Sequence, residues 1–174
     1  MKKVVKKEFD INKLFFIFFL GCLAGYIYEV VYYLVDDGIF VNRGFLYGPY
    51  LPVYGVGALL IYLLLNRFRK NPVIVFFLSM FVTGVVEYLT GFWMWHVYKR
   101  MWWDYTGLFL NINGYVCFRS VFTFAIGALI LICIFVPLID KFIKKFGKKE
   151  SSILSITIFV IMLTDLILTL LYRY

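Results

Sequence analysis

Apolar residues fall along this chain in five long runs, and polar or charged residues fall in the short breaks between them. Runs long enough to cross a bilayer, by the ~20-residue criterion, lie at roughly 12–35, 49–66, 73–96, 114–139 and 152–172. The breaks read "DDGIFVNRG", "NRFRKN", "YKRMWWDYTGLFLNIN" and "DKFIKKFGKKE", each too short for a soluble domain. The pattern predicts an all-α membrane protein of five transmembrane helices, with residues 1–174 as one polytopic membrane domain.

Composition strengthens that reading. Of the 174 residues, 63% are hydrophobic and 16% charged, more apolar than one soluble core of this size can hide. The net charge of +8 would suit nucleic acid in a soluble chain, but here the charges cluster between apolar runs, as topology signals do. Nucleic acid is therefore not expected as a partner; the lipid bilayer is. The N-terminal "MKKVVKKEFDINKLFF" starts like a signal peptide, yet its apolar run is too long and no small-residue cleavage site follows, so a retained first span is expected.

Basic residues set the orientation. Lys2, Lys3, Lys6, Lys7, Lys13, Arg67, Arg69, Lys70, Lys141, Lys144, Lys145, Lys148 and Lys149 lie on one side. Arg43, Lys99, Arg100, Arg119 and Arg173 lie on the other. That asymmetry predicts the N-terminus in the cytoplasm and the C-terminus outside, in a bacterial cell membrane. Trp93, Trp95, Trp102, Trp103, Tyr98 and Tyr105 on the outer side suit an interfacial aromatic belt.

Spans 1–2 and 3–4 read as two versions of one unit. "GYIYEVVYYLV" leads to "NRGFLYGPYLPVYG", with 26 positions from Glu29 to Gly55; "GVVEYLTGFW" leads to "KRMWWDYTGLFLNING", with 27 from Glu87 to Gly114. The expectation is two parallel helical-hairpin repeats, about 12–66 and 73–139, plus one extra helix at 152–172 that packs against the pair.

Glu29 and Glu87 interrupt their spans, and an acid at helix centre costs roughly 2.5–3.5 kcal/mol on insertion scales. Gly21 and Gly25 share a face with Glu29, and Gly84 and Gly91 with Glu87, the kind of face on which helices approach closely. Arg119, about a turn and a half into span 4, and Arg43 are the candidate partners. Together they outline an outward-facing polar pocket, with Asn111, Asn113, Asp104 and Tyr105 at its rim and Tyr47 in the adjoining stretch. Two roles fit these residues: ion pairs that fix helix register, or groups that bind a small molecule, ion or lipid.

"RGFLYGPYLPVYG", residues 43–55, sits where span 2 begins. Pro49 and Pro52 deny backbone donors and the glycines relax the chain, so a broken or re-entrant start with free backbone groups is expected. The competing picture is an ordinary helix entry with Pro near its start. His96 reads as an interfacial anchor, and Asp165 as a third, minor intramembrane acid, near enough to the outer end of span 5 for water to reach it. Cys22, Cys117 and Cys133 have no CxxC spacing and read as small buried hydrophobes. There is no Walker loop, no Ser/His/Asp arrangement and no zinc spacing, so no catalytic residue, metal or cofactor is expected.

"RGFLYGPYLPVYGVGALL", "EYLTGFW" and "WWDYTGLFLNINGYVCF" resemble, in order and spacing, the bacterial membrane family called putative ABC-transporter type IV, or CmpB-like, over roughly residues 15–140. One departure is Tyr115, which follows the Asn-x-Asn-Gly element where the family pattern often has Arg. The resemblance implies a transport permease. Having no nucleotide-binding segment, it would draw ATP through a separate ATPase subunit. A chain this short would also commonly need a homodimer to enclose a pathway. A lipid-binding, accessory or sensor protein without turnover is the alternative.

Overall fold

The structure is a computed structural model that describes residues 10–36, 38–40, 42 and 44–173. Among the described residues it is all-helical, with one isolated bridge between Ile112 and Val116 and no strands. Helix α1 is Ile11–Asp36, α2 is Pro52–Leu65 followed by a 3-10 turn Asn66–Phe68, and α3 is Pro72–Tyr98. Helix α4 runs unbroken over Phe118–Phe146 through a π turn at Leu131–Phe135, and α5 is Lys148–Tyr172.

Local chemistry sets these limits. Asp10 caps α1, its carboxylate accepting the Lys13 amide at 3.3 Å. Asn71 caps α3 by accepting from the Ile74 amide at 3.3 Å, with Pro72 in the first turn, where its missing N–H costs nothing. α3 ends on Lys99 in the left-handed region (φ 52°), whose N–H returns to the Trp95 carbonyl.

Four helices, α1, α3, α4 and α5, are long and apolar enough to cross a membrane. Helix α2 differs: 14 residues make about 21 Å, short of a ~30 Å hydrocarbon core. The expected second span, 49–66, is thus an irregular stretch followed by a short helix, with Pro52 as its first residue. The other end of the chain departs in the opposite sense. "DKFIKKFGKKE", expected as a loop, is helical on both sides of Gly147, which alone breaks it at φ 90°. Gly147 adopts that backbone without the Cβ clash a larger residue meets there.

The chain divides into two compact units, Met1–Leu59 with Leu138–Tyr174, and Leu60–Pro137. In the first, α1 and α5 lie side by side and run in the same direction. Asn12 meets Ser152 and Ser155 at their starts, and Phe15 meets Phe159 edge-on at 6.2 Å. Lys13 pairs with Asp140 at 2.5 Å. Cys22, Leu46, Tyr50 and Met162 form a buried cluster beyond them. Gly25 faces Tyr54 so closely that an added Cβ would overlap the ring, which shows why a glycine stands there. In the second unit α3 packs on α4, with Gly91 against Tyr115 and Phe76 edge-on to Phe122 at 5.6 Å.

Candidate functional site

Glu87 is the one buried carboxylate among the described residues, 8% exposed in the middle of α3. Its Oε1 accepts from the Tyr105 phenol at 2.8 Å and its Oε2 from the Ser120 hydroxyl at 2.7 Å. Gly84 and Gly91, on the same side of α3, let Val121, Val116 and Tyr115 come close, which closes the cluster against water. Ser120 sits in the first turn of α4, where it also accepts the Cys117 amide at 3.3 Å. It links the acid to the helix start.

The loop between α3 and α4 carries Tyr105 to that acid. The Tyr105 amide donates to Gly114 at 2.9 Å, and the Trp103 indole donates to the Tyr115 carbonyl at 2.8 Å. Asp104, fully exposed, accepts from the Thr106 amide at 2.9 Å. The Thr106 hydroxyl and amide together hold its carboxyl below the usual range. Asn111 donates to Leu108 and accepts from Gly114, and Asn113 donates to the Tyr88 phenol at 3.0 Å. Of the rim expected from sequence, Tyr105 reaches Glu87. Asn113 reaches Tyr88, the residue after Glu87. Asp104 and Asn111 tie the loop to itself.

The two arginines fare differently. Arg119 is exposed in the first turn of α4, the second residue of the helix rather than a turn and a half inside, because α4 starts at Phe118. Arg43 lies outside the described residues. Glu29, half-buried in α1, accepts from the Tyr54 phenol of α2 at 2.5 Å. Each acid is therefore held by a tyrosine hydroxyl. Sequence reading proposed Tyr105 for the rim but passed over Tyr54 and Ser120, since hydroxyls carry no charge to flag them.

The irregular stretch 44–51 is broken, as expected, but its backbone groups are largely engaged. Tyr47 and Gly48 donate their amides to Asp165 of α5 at 3.1 and 2.9 Å, and the Tyr50 phenol donates to the same carboxylate. Arg173 donates to the carbonyls of Gly44 and Phe45 at 3.1 and 3.0 Å, and Leu51 donates to Cys22. Asp165, expected to be a minor acid within reach of water, is the residue that organises this stretch. Two grooves open on this unit; one is lined by Tyr47, Thr164 and Asp165, and neither is lined by Glu29, Glu87 or Arg119. His96 stacks on Phe92 and contacts its carbonyl. Cys22 and Cys117 are buried.

No curated protein and no solved structure matches the chain. The distinctive strings around both acids and the irregular stretch all lie within residues 16–170, the span matched by one family model. On a match covering nearly its whole length, the chain belongs to the family described as putative ABC-transporter type IV.

Proposed function

We propose that this protein is a membrane subunit of a transport system, in which Glu87 is the group that meets a small molecule, ion or lipid passing through the bilayer. The observation that carries the reading is a carboxylate buried in an apolar helix and held by two hydroxyls, Tyr105 and Ser120. Hydroxyl partners can turn from donor to acceptor. Such a group can therefore take up a proton or a cation without rebuilding its surroundings, unlike one locked by a guanidinium. Glu29 is likewise met by a phenol, that of Tyr54, and we read the two acids as marking two parallel hairpin repeats. In that arrangement Pro52–Phe68 and the stretch before it complete a fifth crossing, with the N-terminus inside and the C-terminus outside. Arg43 and Arg119 would draw anionic groups to the outer mouth, with Asn111, Asn113, Asp104 and Tyr47 around it.

Membership of an ABC-type family makes a separate ATPase the natural energy source. Lys141, Lys144, Lys145, Lys148 and Lys149 crowd the joint between α4 and α5, and they are exposed and suited to an acidic partner surface. A homodimer would enclose a pathway that one chain of this size does not.

Native mass spectrometry of protein extracted gently from its own membrane tests this. A co-purifying ATPase, or a bound small molecule lost in Glu87→Gln while the helical fold and melting temperature persist, is the expected result. If Glu87→Gln instead loses fold and melting temperature together, the acid is a structural staple and the reading is wrong.

A further inference from the structure

The first unit carries a groove of about 800 Å³ at the starts of α1 and α5, within the ~300–1,000 Å³ range of ligand sites and separate from the Glu87 cluster. Its lining divides into two chemically different parts. One part is polar: Asp10, Asn12, Lys148 and Ser152. The other is an apolar wall of Phe15, Ile156 and Phe159. Ile156 and Phe159 leave most of their surface uncovered, 61% and 53% exposed.

The polar part is built, not incidental. Asn12 donates to the Ser152 hydroxyl at 2.9 Å, and buried Ser155 donates to the Asn12 carbonyl oxygen at 2.8 Å, which fixes both amide and hydroxyl. In that bond Ser152 is the acceptor, so its own proton is left to give to a ligand. Asn12 likewise keeps a second amide hydrogen. Asp10 and Lys148 bring opposite charges to the same rim. A simple anion would face the Asp10 carboxylate, and a simple cation would face Lys148. A zwitterion answers both.

Two helices long enough to cross a bilayer begin here, so the groove lies where headgroups lie and its apolar wall continues along the helices towards the hydrocarbon. We propose that this groove binds one glycerophospholipid with a phosphoethanolamine headgroup. The phosphate is taken by Lys148 and Ser152, the ammonium by Asp10, and an acyl chain lies along Phe15, Ile156 and Phe159. The site stands whether or not Glu87 serves transport.

Full-length protein in detergent, offered equal amounts of phosphatidylethanolamine and phosphatidylglycerol, is read by native mass spectrometry. The wild type should retain one phosphatidylethanolamine in about tenfold preference, the factor lost with one charge-assisted hydrogen bond. Asp10→Asn, which keeps the α1 cap but removes the charge that holds the ammonium, should abolish the preference. Ile156→Trp, which fills the wall, should lower retention of both lipids with the melting temperature unchanged. Equal or better retention of phosphatidylglycerol by the wild type overturns the headgroup assignment. Wild-type retention in both variants overturns the site.

Discussion

Asp165→Ala removes the acceptor that three donors of the irregular stretch share: the amides of Tyr47 and Gly48 and the phenol of Tyr50. Tyr47 is exposed and its amide recovers a partner from solvent, whereas Tyr50 is buried and Gly48 half-buried. A buried donor left unpaired costs about 1–3 kcal/mol, so two of them weaken the local fold by about 2–4 kcal/mol, allowing for partial rehydration of Gly48. The consequence is local, because Tyr50 and Leu46 pack on Cys22, and Leu51 bonds to the Cys22 carbonyl. Opening the stretch uncovers that thiol. Labelling by N-ethylmaleimide in a Cys133→Ala background reads Cys22 in the first unit, with Cys117, buried in the second unit, as the internal standard. A local opening made easier by that amount raises the Cys22 rate about 30- to 1,000-fold while Cys117 stays protected. Asp165→Asn keeps one acceptor oxygen and should give an intermediate rate. If Cys22 labelling does not change, or if Cys22 and Cys117 rise together, the carboxylate is not what holds this stretch.

Three further outcomes follow from close contacts and backbone geometry. Gly25→Val places a side chain in the Tyr54 ring and should lower stability by about 1–3 kcal/mol, read as a lower melting temperature; an unchanged value would mean α1 and α2 do not pack at this glycine. Tyr54→Phe removes the phenol from Glu29 and should cost about 1 kcal/mol, with Glu29→Gln/Tyr54→Phe no worse than either single change if the two act as one unit. Leu110 is held at φ 51°, and Leu110→Gly should relieve about 1 kcal/mol and raise the melting temperature by about 2–4 °C; a fall would show that its side chain outweighs the strain.

How much of this was legible in sequence depends on what each residue does. Apolar runs located the four helices long and apolar enough to cross a bilayer, because length and apolarity are written directly in the chain. They did so to within four residues except at the far end of α4, which continues to Phe146 rather than 139. Gly25 and Gly91 were legible as close-approach positions from their spacing to the acids, and each does lie against an aromatic residue. The joint between α4 and α5 was misread because "DKFIKKFGKKE" carries so many lysines. Charge marks a boundary with water, and a helix can continue through that boundary until a residue such as Gly147 turns it. Partners were harder to see than positions. Charge drew attention to arginines, whereas the hydroxyls of Tyr54, Tyr105 and Ser120 that meet the two acids are singled out by no periodicity.

Asp165 and Glu87 show that an acid's place in an apolar helix does not alone assign its role. Asp165 is met by two backbone amides, which can only donate, as well as by the Tyr50 and Thr169 hydroxyls. Protonating it would set a new donor against amides that cannot accept, so it suits a permanent latch on the Gly- and Pro-rich stretch. Glu87 is met by hydroxyls, which accept as readily as they donate, so the same change of charge leaves its neighbours satisfied. The Gly- and Pro-rich stretch draws attention in the sequence, but its polar groups are spent on holding its shape. Glu87, by contrast, lies in the uninterrupted helix α3, where the sequence gives least sign of a break.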